Sequence, residues 1–207
     1  MNDSPLYSDN HLLVAVKPAG WLTQPDGSST PDLETLMKEW VKKEKNKPGA
    51  VFLHAAHRLD RFAFGLVLFA RTSKALSRLN EQMRAGTIRR IYVAEVEGTL
   101  IENEGVLEHY LTHEEYHAAV VAADHPGAKK ARLSYVVEER LKTSTMVRVD
   151  LATGRYHQIR AQFSAIGHPI LGDTRYGAKE EKEKSHLQCA TLIFQHPVTK
   201  EKKRFDH

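Results

Sequence analysis

The sequence predicts an α+β fold with a largely antiparallel, mixed sheet and flanking helices. Three observations lead there. Apolar or alternating segments of strand length crowd the middle of the chain, helical periodicity appears in only three places, and those helices do not alternate strictly with the strands.

The elements follow in order. Residues 12–16 form a short apolar run that stops at Lys17-Pro18-Ala19-Gly20, as expected of a buried strand ended by a turn. Thr30-Pro31-Asp32 reads as a helix start, with a hydroxyl N-cap, Pro at the first helical position and an acid near the positive end. Leu33, Leu36, Met37, Trp40 and Val41 continue at helical spacing, and the pattern dissolves into 42–47 before Pro48-Gly49. Residues 65–70 read as a central strand. Thr72 or Ser73 then caps a second helix with Ala75, Leu76, Leu79 and Met83 on one face and Gly86 near its end. Strands are expected at 91–97, 106–111, 118–122, 133–138 and 146–151, where Val147, Val149 and Leu151 alternate with Arg148 and Asp150. Thr153-Gly154 leads into a third helix bearing Ile159, Phe163 and Ile166, and a last strand covers 191–194. The stretch 179–186 reads as a solvated charged loop. No linker or internal repeat divides the chain, which is read as one domain over 1–207.

Composition excludes several classes. A hydrophobic fraction of 41% over 207 residues supports a real core. No apolar run approaches the roughly 20 residues of a membrane span, and residues 1–5 lack the pattern of a signal peptide. Cys189 is the one cysteine, so neither an internal disulfide nor a multi-thiolate zinc site is available, which suits a reducing cytoplasm. Thirty Lys+Arg against 26 Asp+Glu and a pI near 9.1 lean mildly toward a polyanionic partner, and equally fit an ordinary basic protein.

Four segments could carry chemistry. His57-Arg58-Leu59-Asp60-Arg61 places a carboxylate between two guanidinium groups just before a buried strand, which suits either an ionised nucleophile or a structural ion pair. Thr153-Gly154-Arg155-Tyr156-His157-Gln158-Ile159-Arg160 presents basic and polar groups around a helix start, as an anion site or as the solvated face of a capped helix. Arg89-Arg90-Ile91-Tyr92 is either an RNA-facing strand with an aromatic for a base, or a strand with a half-buried Tyr. His113-Glu114-Glu115-Tyr116-His117 fits the zinc peptidase pattern, but its strand-like flanks favour a polar hairpin.

Together these segments resemble the RluA-type family of RNA pseudouridine synthases. Lys17-Pro18-Ala19-Gly20, Gly167-His168-Pro169-Ile170-Leu171-Gly172-Asp173 and Phe194-Gln195-His196-Pro197 extend the resemblance over nearly the whole chain. It implies a pseudouridine synthase catalytic fold with a central RNA-binding cleft. It implies isomerisation of uridine in ribosomal or transfer RNA without a cofactor or metal. Onto Asp60 it carries the nucleophile, onto Tyr92 the aromatic that stacks on the uracil, and onto Arg160 the basic partner of the Asp. Ile159 is expected to pack beneath the Tyr and Arg58 to contact RNA beside the flipped base. Arg61, Arg89, Arg90, Arg155, His157 and Gln158 are expected on the RNA as well. Family members often carry an S4-type RNA-binding domain ahead of this one, and this chain is read as the catalytic domain alone. A cytoplasmic monomer with RNA as partner, no membrane and no obligate protein partner is the corresponding expectation. The chain departs from the family at the apolar Phe62-Ala63-Phe64 and at Gln188-Cys189-Ala190, where Leu-His-Ala is usual.

Overall fold

The computed structural model describes residues 4–46, 48–179, 182 and 185–207. In chain order the first elements are β1 (Tyr7–Ser8), β2 (Leu12–Lys17), α1 (Leu33–Glu44), β3 (His54–Ala55), β4 (Phe64–Ala70) and α2 (Ser73–Arg84). Then come β5 (Arg89–Glu97), β6 (Glu104–Glu114), β7 (His117–Val121), β8 (Lys129–Arg140), β9 (Ser144–Leu151) and α3 (Gln158–Ala165). A single 3-10 turn at Thr174–Tyr176 precedes β10 (Leu187–Gln195) and β11 (Lys202–Asp206). Two compact units result: Met1–Ile88 with Cys189–His207, and Arg89–Gln188. Every strand pair with a described register is antiparallel, so the α+β reading holds.

In the first unit β2 lies against β4, from Leu12 opposite Ala70 to Lys17 opposite Gly65. Both strands are nearly all apolar because both their faces are covered: Leu12, Leu13 and Val14, and Leu66 through Ala70, are all 0% exposed. Each large side chain of this set contributes about 1.5–3 kcal/mol by leaving water. β10 follows β4 in the sheet order. That approach needs a glycine, because a Cβ on Gly65 would stand 2.4 Å from the Cys189 carbonyl oxygen, and Gly65 has a φ of 109°. Helix α2 starts as expected, with Thr72 Oγ1 accepting from Ala75 N at 3.1 Å. Helix α1 starts later than Thr30-Pro31 suggests, with Asp32 as the N-cap accepting from Thr35 N at 2.8 Å. The delay has a cause: Leu22 N donates to Pro31 O and Leu33 N to Leu22 O, which holds 31–33 extended. The helix runs on to Glu44, and Lys47 lies outside the described residues.

The second unit is a five-stranded antiparallel sheet in the order β5-β9-β8-β6-β7. Strand β5 alternates buried and half-buried residues, as a sheet with one covered face does. Strands β6 and β8 outrun their apolar centres, because their ends are polar and exposed. Helix α3 begins at Gln158, not directly after Gly154, and Ala161 packs with Leu111, Ala118, Ala131 and Tyr176 in a small core. Of the charged stretch 179–186, positions 180, 181, 183 and 184 lie outside the described residues.

Candidate functional site

Asp60 sits in the loop entering β4, and the loop is laced to the turn after β2. Thr23 Oγ1 donates to Leu59 O at 2.8 Å and accepts from Leu59 N at 3.0 Å. Gly20 N donates to Arg61 O at 2.8 Å, and Arg61 Nε donates back to Gly20 O at 3.1 Å. Ala63 N donates to the Asp60 backbone carbonyl at 3.2 Å, closing a tight turn over residues 60–63. His57 is buried and its Nε2 accepts from Leu68 N. The backbone on both sides of Asp60 is thus fixed, while Arg58 stays exposed.

Lys17 underlies this arrangement. It is 0% exposed, yet it carries an ammonium group that donates to Pro18 O at 2.9 Å and Trp21 O at 2.7 Å. Burial pushes its pKa down to about 8, against the pull of the nearby Asp60 carboxylate, which favours the charged form.

The second unit holds Tyr92 and Arg160. Tyr92 lies on β5 opposite Val149 and is 5% exposed, deeper than the half-buried position expected. Arg160 is buried in α3, and its guanidinium forms a fork on Asp173. Its Cζ also stands 4.7 Å from the centre of the Tyr176 ring. Tyr176 OH accepts from Ala118 N at 2.8 Å and lies 2.9 Å from His157 Nδ1. Burial pushes the Tyr176 pKa up to about 12, so the phenol stays protonated.

The segment 153–160 is a braced turn followed by a helix. Gln158 is buried; its Oε1 accepts from Thr153 Oγ1 and Arg155 N, and its Nε2 donates to Arg132 O. Its amide therefore shapes the turn. His157 caps the helix in the left-handed region with a φ of 48°, and its ring stacks on Tyr156 at 3.8 Å. Ile159 is buried beside it in sequence. Arg155 Nε donates to Lys130 O. Arg89 is exposed and paired with Asp150, whereas Arg90 is buried against Gly154.

The zinc reading is overturned by geometry. His113 is on β6 and His117 on β7, joined by a tight hairpin with Glu114 opposite His117, so the two do not share a helical face. Among the described residues no three His, Cys, Asp or Glu gather as a metal site, and no helix is long and apolar enough to cross a membrane.

Four residues central to this geometry were not among the expected site residues: Lys17, Thr23, Asp173 and Tyr176. A charged residue ending an apolar strand was the available signal for Lys17. Asp173 closes the Gly167–Asp173 motif, which was its available signal, and Thr23 and Tyr176 are found only through their long-range partners.

The structure thus places Asp60 in a braced loop of the first unit, and Tyr92 on a strand and Arg160 on a helix of the second. The sequence profile described as RNA pseudouridylate synthase matches residues 11–165, and the chain belongs to that family, in its RluA-type branch. Ribosomal large subunit pseudouridine synthase D of Nitrosomonas europaea is 35% identical over 173 residues, covering 83% of this chain and 49% of that protein. Ribosomal large subunit pseudouridine synthase C of Salmonella typhimurium is 34% identical over 216 residues, covering 99% of this chain and 66% of that protein. The chain thus spans about half to two-thirds of the length of these relatives. The solved structure of Human RNA Pseudouridylate Synthase Domain Containing 4 shares the fold, with a TM-score of 0.82 at 20% identity over 99% of this chain and 87% of that one.

Proposed function

We propose that this chain is the catalytic domain of an RNA pseudouridine synthase that isomerises uridine in RNA, with ribosomal RNA as the first substrate to test and transfer RNA as the second. The observation that carries the reading is Asp60, in a braced loop within electrostatic reach of the buried Lys17 ammonium, in a chain of this family.

The target uridine must leave its stack, at a cost of a few kcal/mol, before a side chain reaches its glycosidic bond. Stacking on Tyr92 returns about 1–3 kcal/mol. Asp60 either attacks C1′ or assists departure of the uracil anion. The C1′–N1 bond breaks, the base turns, and a C1′–C5 bond forms. C5 loses its proton and N1 gains one, so the reaction is balanced without an oxidant or a second substrate. Arg160, oriented by Asp173, supplies positive charge to this step. Arg58, Arg61, Arg89 and Arg155 contact RNA, with His157, Ile159 and Gln158 shaping the turn behind them.

Purified protein is incubated with ribosomal and transfer RNA, and pseudouridine is read by carbodiimide-blocked primer extension. Asp60→Asn is expected to abolish product while RNA affinity is retained. Product at a comparable rate from the Asn variant would sink the assignment. Mapping pseudouridine in total RNA with and without the gene then identifies the site.

A further inference from the structure

Arg90 differs from the other arginines in the second unit. It is 9% exposed, and its Nε has no hydrogen-bond partner. No ion pair or hydrogen bond involves any atom of its guanidinium among the described residues. The other buried arginine, Arg160, is paired with Asp173. Exposed Arg89, Arg132 and Arg148 are each matched by a carboxylate as well. Exposed Arg140, Arg155 and Arg175 instead donate to carbonyl or amide oxygens. Among the described residues of this unit Arg90 alone combines a buried side chain with a guanidinium that meets neither carboxylate nor carbonyl.

A largely buried cation with an unpartnered Nε is costly to keep, so a site that keeps one is incomplete without an anion. The surroundings favour that reading. Gly154 lies against the flat of the guanidinium: a Cβ there would stand 2.8 Å from Nη1 and 2.9 Å from Nη2. Gly154 has no positive φ in its favour, so what the position requires is the missing side chain. The turn carrying it is held rigid by Thr153 and Gln158, and it ties the backbone of Lys130 and Arg132 alongside. Arg155, in the same turn, donates its Nε to Lys130 O and has no carboxylate partner among the described residues either. Two guanidinium groups without a carboxylate, Arg90 and Arg155, at one braced turn suit a polyanionic ligand.

We propose that Arg90 is the buried seat of one RNA backbone phosphate, its planar fork left bare by Gly154 and completed only when the nucleic acid binds. This rests on the RNA reading above and adds a particular ligand atom group and position to it. The fork geometry of a guanidinium fits two phosphate oxygens at once, which an ammonium cannot do.

The test uses the unaltered protein first. Oligonucleotides spanning the modified uridine are made with one uncharged methylphosphonate at each successive position. One position is expected to weaken binding roughly tenfold or more, and the rest far less. In Arg90→Gln, affinity for the all-phosphate RNA falls by the same factor, the effect of that position vanishes, and the slope of log affinity against log salt drops by about 0.7. Arg89→Gln keeps the positional effect. Equal losses at all positions, or an Arg90→Gln variant still sensitive to the special position, overturn the proposal. A variant that fails to fold leaves the scan on the unaltered protein to decide. A separate readout does not depend on enzymatic activity. The Arg90 side-chain 15N resonance, assigned by its absence in Arg90→Lys, is expected to move with inorganic phosphate and not with chloride at equal ionic strength. An Arg90 signal that ignores phosphate overturns the seat even if the protein makes pseudouridine. If no RNA is modified but the signal moves, the functional reading fails and the anion seat survives without RNA as its occupant.

Discussion

The Arg160 guanidinium donates to the Asp173 carboxylate twice, from Nε to Oδ2 at 2.6 Å and from Nη2 to Oδ1 at 2.7 Å. Both residues are nearly inaccessible, at 4% and 2% exposure. The fork therefore fixes the plane of an arginine that we propose takes part in the chemistry. Asp173→Asn removes the compensating charge and leaves a buried cation, at an expected cost of about 3–5 kcal/mol. Urea unfolding measures it, and a loss below about 1 kcal/mol would show that the pair does not orient Arg160.

Lys17 makes stability depend on pH in a definite direction. Its pKa is about 8 in the fold against 10.5 for the ordinary group. Below pH 8 the folded and unfolded chains both carry the charge, and the burial penalty is in full force. Between about 8 and 10.5 the unfolded chain holds the proton more tightly, so this group makes stability rise with pH. Denaturant unfolding at pH 7.5 and 9.5 is expected to show that rise relative to Lys17→Met. Parallel profiles for the two proteins would refute it.

Thr23 clasps both backbone groups of Leu59, next to Asp60. Thr23→Val keeps the shape and removes both bonds, leaving a buried N–H and C=O unpaired at a cost of about 1–3 kcal/mol. Because the loss falls on the Asp60 loop, turnover should drop more than RNA affinity. Equal losses would mean that the clasp serves stability alone.

Gly65→Ala combines a φ of 109° with a clash against the Cys189 backbone at 2.4 Å. Backbone cannot yield as a flexible side chain would, so a destabilisation above about 2 kcal/mol is expected. A melting temperature within a degree of the wild type would contradict that packing.

Local signals were legible in the sequence. The apolar run of β4, the alternation of β5 and β9, and the Thr72 cap each depend on residues close together in the chain. The hairpin turn hidden in the zinc-like motif was visible from its strand-like flanks. Partners far apart were not legible. Thr23 reaches Leu59 across 36 residues, and Gly65 meets Cys189 across more than a hundred. Strand β11 escaped because Phe205 is its only apolar residue, so an edge strand of charged residues leaves no hydrophobic period. Helix α1 was placed two residues early because a pairing with Leu22, distant in sequence, outweighed a good local start signal. The site residues drawn from the motifs fall in ordered positions, while the groups that hold them in place belong to other segments.

The first unit is discontinuous, and this orders events during synthesis. Residues 89–188 can assemble as soon as they emerge, but residues 1–88 lack β10 and β11 until residues 187–206 are made. At about 5–20 residues per second, the intervening hundred residues impose a delay of roughly 5–20 seconds. Throughout it β4, with its run of fully apolar residues, has an edge paired only at its end by β3, the kind of surface that sticks to other chains. The contact between Asp9 and His196, 2.9 Å apart, forms only at the end of that interval. Nascent chains stalled before residue 189 are therefore the species that a chaperone must shield.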